Sequence, residues 1–338
     1  MSGFSRTLDP VAVARELIDI DSTTGREGDA GRWLTARLRG LGYSVDEQPL
    51  SGGRFNVLAR LAGDPRLVFS THFDCVPPHF PSREERGLLF GRGACDAKGI
   101  LAAQLAAAER LRARGETRLA LLFVAGEERG SDGARAANTV APSGVRYLIN
   151  GEPTDNRLGA ATRGVLRVRL HAEGRAAHSA FPELGESAID KLLDALMVIR
   201  GLPLPEDPLL GRTHYTVGLI EGGVAPNVVS PRASAEILFR LVGDAGPVRA
   251  ALGVVEGLVT VEHVLDIPAI RLHTVDGFET AVFPYTTDVP LLGRWGTPLL
   301  VGPGSIHVAH TDEEHVVIDE LHAAVGLYEQ LAARLLGT

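Results

Sequence analysis

In this chain, clusters of histidine and acidic residues begin where apolar, strand-like runs stop. LVFST leads into His72, Phe73 and Asp74; LALLFVA leads into Glu127 and Glu128 of GEERGSDGA; VRYLIN leads into Glu152 of NGEPT. Two further segments, GACDAKG around Asp96 and AHTDEEH with His310, carry the same residue types. Carboxylates scattered over a surface would not track strand ends, whereas α/β sheets place their active sites outside the carboxyl ends of their strands. The pattern therefore predicts an α/β fold with a functional site at one edge of the sheet.

A chain of 338 residues with 45% apolar side chains exceeds what one core usually organises, so two domains are expected. A net charge of −8 argues against nucleic acid or an anionic membrane as partner. No signal-peptide pattern opens the chain and no apolar run is long enough to span a bilayer, so a cytoplasmic location is expected. There, Cys75 and Cys95 would stay reduced. Each thiol adjoins an aspartate, Asp74 or Asp96, that suits hard oxygen ligation better than thiolate ligation.

Periodicity predicts helices at about 9–20 and 27–42, the second ending at Gly42. Strands then alternate with helices: SVDEQPL, NVLARL, LVFSTH, a helix from about Gly99 to Arg114, ALLFVAG, a helix near 131–139, and YLINGE. That alternation reads as a mainly parallel sheet covered by helices on both faces. Near residue 162 the order becomes βαββαβ, through VLRVRLHAEG, ESAIDKLLDALMVI, HYTVGLIEGG, RASAEILFRLV, PVRAALGVVEGL and TVEHVLDI. This is a self-contained ferredoxin-like unit. The α/β pattern resumes after about 270 and closes with a helix at 318–336. The expected division is 1–161 with 271–338 as one domain and 162–270 as the inserted one, a two-linker arrangement suited to closure over a site.

Residues i and i+2 of a strand share a face, so His72 and Asp74 would lie side by side, one free to ligate and the other to fix the imidazole. Asp96, between short residues and glycines, offers two oxygens able to bridge two cations. Adjacent Glu127 and Glu128 point apart in an extended backbone, so the loop must turn for both to act. One can then bind metal while the other remains a free base, the division that metal-assisted hydrolysis requires. Singly, each motif has a plain alternative: a polar histidine at a strand end, a solvated Glu–Glu pair, a turn beginning at Pro153. Their joint order is the signal.

On STHFDCVPP, GRGACDAKG, GEERGSDGA, GEPT, AHSAFPELG, GGVAPNVV and AHTDEEHV, in that order, the chain resembles the M20 family of metallopeptidases and deacylases across essentially its whole length. The family includes acetylornithine deacetylase, succinyl-diaminopimelate desuccinylase, aminoacylase and glutamate carboxypeptidase. The resemblance implies a metal-dependent hydrolase sheet with an inserted ferredoxin-like lid and dimerisation domain. It implies two divalent metal ions, zinc with cobalt or manganese as alternatives: His72, Asp96 and Glu152 would hold one, and Asp96, Glu128 and His310 the other, with Asp96 bridging. His310 is preferred over His307 because the family ligand sits in the AHT element. Asp74 would orient His72, and Glu127 would be the general base that passes a proton from water to the leaving amine.

Within the lid, His178 resembles the histidine that reaches the substrate carbonyl, often across a dimer interface. Asn227 and Arg240 resemble residues that grip the oxyanion and the substrate carboxylate. The resemblance also implies a cis peptide between Asp96 and Ala97. Glu152 rather than aspartate, GRGACDAKGILAAQ and the Thr286–Asp288 segment are most like acetylornithine deacetylase and its lysine-biosynthetic relatives. The expected activity is removal of an acyl group from an N-acyl-amino acid, N-acetylornithine or a close analogue, by a homodimer. Desuccinylation of succinyl-diaminopimelate, dipeptide or carboxypeptide cleavage, and a non-catalytic metal-binding homologue are the alternatives.

Overall fold

The structure, a computed structural model, describes residues 8–338. Two compact units partition the chain. Among the described residues, the first comprises 8–160, 272–281 and 287–338, and the second 161–271 and 282–286. The short return of 282–286 to the second unit lies outside the 162–270 span expected from the sequence.

The first unit is built on a six-stranded sheet in the order Ser44–Pro49, Phe55–Arg60, Leu119–Val124, Leu67–His72, Tyr147–Asn150, Thr297–Leu300. Phe55–Arg60 runs opposite to the other five strands. The central strands Leu67–His72 and Leu119–Val124 are buried at every position because both sheet faces are covered, and successive side chains serve different cores. Leu67, Phe69, Leu119, Leu121 and Phe123 enter the larger core, shared with helices Pro10–Ile18, Lys98–Ala113 and Ile318–Leu336. Val68, Ala120, Leu122 and Val124 face the smaller core with Ala134, Ala137 and Trp295. Strand Leu67–His72 lies between Leu119–Val124 and Tyr147–Asn150. From it the chain crosses to one neighbour through helix Lys98–Ala113, and from that neighbour it returns to the other side through helix Asp132–Ala137. Connections that diverge in this way open a crevice at the carboxyl ends of the strands.

Local chemistry sets the helix ends. Asp9 caps Pro10–Ile18 by accepting from Val11 N at 3.1 Å, with proline at the first helical position. That helix stops at Ile18, two residues before the expected end, where Asp19 N turns back to the carbonyl of Arg15. Helix Ile318–Leu336 is anchored to the sheet by Tyr328, whose hydroxyl donates to Val301 O at 2.6 Å and whose ring meets Phe69 edge-on.

The second unit carries a four-stranded antiparallel sheet in the order His214–Gly222, Arg232–Leu241, Gly164–Glu173, Thr260–Ile267. With helices Ala188–Arg200 and Gly246–Leu252 this is the βαββαβ arrangement read from the sequence. One face is packed: Leu166, Val168, Leu170, Ala235, Ile237 and Phe239 are buried with Leu192, Ala195 and Val248 of the helices. The alternating residues Arg167, Arg169, His171 and Glu236 form the other, polar face. Among the described residues no helix is long and apolar enough to cross a membrane.

Two glycines of the first unit separate close packing from backbone entropy. A methyl group at Gly99, in the first turn of Lys98–Ala113, would overlap the carbonyl of Ala94, whereas one at Gly326 would meet nothing within 4 Å. Gly99→Ala is therefore expected to lower unfolding free energy by about 1–3 kcal/mol through overpacking. Gly326→Ala, in the interior of a helix, should raise it by up to about 1 kcal/mol. Urea unfolding of the two variants should show opposite signs.

Candidate active site

His72 closes strand Leu67–His72 and is buried, with each ring nitrogen engaged. Nδ1 lies 3.0 Å from the backbone carbonyl of Asp74 and 3.5 Å from its Oδ1, while Nε2 lies 2.8 Å from Asp96 Oδ1. The strand stops at His72, so the pair expected from strand alternation forms across a turn, with the main chain making the closer contact.

The Asp74 carboxylate is occupied largely elsewhere. Its Oδ1 accepts from Glu127 N at 3.0 Å; its Oδ2 accepts from Glu128 N at 3.2 Å and from the Thr24 hydroxyl at 2.8 Å. Asp74 thus ties the loop after one strand to the loop after its neighbour. Burial pushes its pKa up, but the hydrogen bonds from His72, Thr24 and Glu127 outweigh that and hold it below the usual 3.8.

Glu127 and Glu128 sit in a 3₁₀ turn, Glu127–Arg129, bounded by Gly126 at φ 80° and Gly130 at φ 101°. The left-handed glycines supply the turn that two adjacent functional carboxylates need. Glu128 Oε1 is 3.0 Å from His310 Nε2, and the same nitrogen is 3.3 Å from Asp96 Oδ2. His310 itself adopts φ 65°. Its imidazole is pushed up to about 10 by these two carboxylates. Asp96 therefore presents one oxygen to each histidine. Burial opposes its ionisation, but the bonds from His310 and His72 prevail and lower it well below the usual range. The Asp96–Ala97 peptide is cis, as the resemblance implies.

Glu152 follows strand Tyr147–Asn150 and is buried, and its Oε1 has no hydrogen-bond partner. Burial raises both Glu127 and Glu152 well above the ordinary carboxylate value, with the charge of Glu152 adding to the effect on Glu127 and that of Asp96 to the effect on Glu152. Sequence reasoning did not assign two participants. Thr24 reaches Asp74 from a distant polar stretch. Asp288, buried and raised to about 6 by desolvation, adds negative charge felt by Glu127 and Glu152. Its TTD triplet was visible, but nothing in the spacing linked it to the cluster.

The donor set fits a divalent cation. Ligand atoms of His72, Asp96 and Glu128 lie within 4.8 Å of one another, and Glu152 brings an unpartnered acceptor to the same neighbourhood. Imidazole nitrogens with several buried carboxylate oxygens suit zinc, cobalt or manganese and leave negative charge for a cation to neutralise. The thiols do not join: Cys75 Sγ lies 3.9 Å from Asp96 O and Cys95 Sγ 3.3 Å from Ser305 O. Burial pushes Cys75 up to about 12.

In the second unit, the His178 and Asn227 segments are brought together. His178 bridges to Val228, and Ser179 N donates to Asn227 O at 3.0 Å. His178 Nδ1 accepts from Ala180 N at 3.1 Å and the residue is exposed. Arg240 lies on strand Arg232–Leu241, in register with His214. Burial, with Arg163 nearby, depresses its guanidinium.

Residues 68–334 match peptidase family M20/M25/M40. A probable carboxypeptidase of Emericella nidulans is 36% identical over 376 residues, covering 95% of this chain and 88% of its own length. Aminopeptidase PepT of Bacillus cereus shares the fold with a TM-score of 0.82 at 20% identity, over 97% of this chain and 98% of that one. The M20 family metallo-carboxypeptidase Sso-CP2 of Sulfolobus solfataricus does so with a TM-score of 0.76 at 19% identity, over 95% and 98%.

The Asp74 network makes a stability prediction. Thr24→Val removes a hydrogen bond to a buried carboxylate and should cost about 1.5–3 kcal/mol at neutral pH. Asp74 is depressed in the folded state, so its contribution is present above its unfolded value of 3.8 and lost as pH falls through the folded value. The gap between wild type and variant in urea unfolding should accordingly shrink on acidification below that value.

Proposed function

Because the chain belongs to peptidase family M20/M25/M40, metallohydrolases of amide bonds, we propose that it cleaves the amide of N-acyl-amino acids carrying a free carboxylate. The observation that carries this reading is Asp96, with one oxygen toward His72 and the other toward His310, beside a glutamate pair of which only Glu128 is tied to that histidine. Small and peptidyl acyl groups both belong to this class, since deacylation and carboxypeptide cleavage release an amino acid from the same kind of bond. The similarity to the probable carboxypeptidase of Emericella and the metallo-carboxypeptidase of Sulfolobus supports the peptidyl side. The motif resemblance supports N-acetylornithine or a close analogue.

Two divalent ions, zinc by preference and cobalt or manganese as alternatives, would be held by His72, Asp96 and Glu152 and by Asp96, Glu128 and His310, and when bound would acidify water and polarise the amide carbonyl. Glu127 is assigned as the base. Its backbone is pinned to Asp74, and its half-buried side chain has a raised proton affinity that favours accepting a proton and then delivering it to the departing amine. Asp74 keeps the His72 ring and the Glu127–Glu128 turn in place. His178 and Asn227 are assigned to the developing oxyanion, and Arg240 to the substrate carboxylate.

A homodimer is part of the reading. Helix Ala188–Arg200 exposes Leu193 at 52% and Met197 at 64%, four residues apart on one stripe. Strand His214–Gly222 is a sheet edge that exposes Leu219 and Ile220. A second copy related by a two-fold axis would cover both.

Glu127→Gln should retain metal while turnover falls by roughly two to four orders of magnitude, measured by metal analysis alongside kcat. Normal turnover would remove Glu127 from its role. Substrate class is tested on acetyl-ornithine, acetyl-citrulline, acetyl-lysine, succinyl-diaminopimelate and dipeptides with zinc, cobalt or manganese; cleavage only of substrates lacking a free carboxylate would sink the assignment. If His178 serves the partner's site, mixing His178→Ala with Glu127→Gln subunits should restore part of the activity. A fully active monomer would exclude that arrangement.

A further inference from the structure

The segment after His310 carries three consecutive acids, Asp312, Glu313 and Glu314, and only Glu314 is buried. Its surroundings are specific. Glu314 Oε1 accepts from three backbone N–H groups of the loop that bears Asp96: Gly93 at 2.9 Å, Asp96 at 3.1 Å and Cys95 at 3.3 Å. Its Oε2 accepts from Arg92 Nη1 at 2.6 Å, and its own carbonyl accepts from Gly91 N at 3.1 Å. Arg92 is fully buried, donates through Nε to Pro78 O at 3.1 Å and lies over the Phe80 ring at 5.0 Å. The same loop then passes directly into helix Lys98–Ala113, with Lys98 N bonded to Gly93 O at 2.8 Å.

We propose that Glu314 is a positioning residue for the metal site: its carboxylate grips the main chain of Gly93–Asp96, so that Asp96 presents one oxygen to the His72 side and the other to the His310 side. Glu314 is four residues from His310, so one short segment supplies a ligand and also fixes the loop of the ligand that His310 faces. A donor that must serve two cations has little tolerance for rotation, and the three N–H contacts remove the freedom of the loop that would allow it. Three backbone N–H groups and a guanidinium converge on the carboxylate, so its two oxygens hold the loop at several points at once. Glu314 touches neither substrate nor metal in this scheme and acts through Asp96.

This inference rests on the metal reading above, and the test separates the two. Metal-free protein is titrated with cobalt(II), followed by calorimetry and visible absorption. Two double variants, Arg92→Met with Glu314→Gln and Arg92→Met with Glu314→Ala, both lack the buried ion pair and differ in whether a side-chain oxygen meets the loop N–H groups. The glutamine double should bind cobalt within about threefold of wild type. The alanine double, with similar metal-free thermal unfolding, should lose about 10–100-fold in affinity, the range typical for groups that support metal ligands, and show an altered cobalt spectrum. Equal affinities and wild-type spectra in both doubles would overturn the proposal. If the alanine double does not fold, Glu314→Asp decides: it keeps the charge and withdraws the oxygens by one methylene. A tenfold or larger loss supports the proposal, and wild-type affinity overturns it. Wild-type protein that takes up no cobalt would overturn the metal reading itself, and this proposal with it.

Discussion

Buried negative charge is the constraint around which the first unit is arranged. Asp74, Asp96, Glu152, Asp288 and Glu314 are all nearly inaccessible, and isolated carboxylates in such places would be strongly disfavoured. The structure meets this demand in two different ways. Asp74 and Glu314 receive backbone N–H groups from neighbouring loops, together with a hydroxyl or a guanidinium, and are satisfied without any ion. Asp96 and Glu128 are met by imidazoles, and Glu152 retains an oxygen that nothing in the protein meets. Carboxylates of the first kind build the loops; those of the second kind have coordination capacity left over. The sorting follows from hydrogen-bond satisfaction alone.

The sheet makes this concentration of charge possible. Strands Leu67–His72, Leu119–Val124 and Tyr147–Asn150 end side by side, so His72, the Glu127–Glu128 turn and Glu152 arrive at neighbouring positions from rigid elements. Covered faces and wholly buried strands hold those ends in register. Loops need then be fixed only over a few residues, and Asp74 and Glu314 each do so across a large sequence separation.

Legibility in the sequence followed the range of the interaction. The runs LVFST and LALLFVA are readable as strands because two-sided burial keeps charged residues out and makes most positions apolar, and the acids that follow them stand out by contrast. The second unit was readable in full order because its one-sided sheet alternates, as in VLRVRLHAE, where Val165, Leu166, Val168 and Leu170 are buried and Arg167, Arg169 and His171 are not. Partners set by tertiary packing left no such mark. Thr24 meets Asp74 across 50 residues, and Glu314 meets Gly93 across 221. Nothing in Asp312–Glu313–Glu314 says which acid turns inward. Strand alternation predicts the His72–Asp74 pairing, yet the backbone carbonyl makes the closer contact, because the strand ends at His72, two residues earlier than that argument requires.

Substrate identity is legible least of all, and the division of the chain explains why. Every group proposed for proton transfer or metal binding lies in the first unit, and in the proposed reading these groups would engage only what all N-acyl-amino acids share, the amide and its water. Distinguishing an acetyl from a peptidyl group requires contacts to atoms beyond that amide. The candidates available for such contacts, His178, Asn227 and Arg240, stand on exposed or half-buried positions of the second unit, where no core packing restricts the residue type. A core position leaves a hydrophobic signature that any reader of the sequence can recognise, whereas a recognition position is constrained only by a ligand outside the chain. The groups proposed for the reaction are therefore held by the packing and loops of the first unit, whereas those proposed for recognition occupy positions on which packing leaves no mark in the sequence.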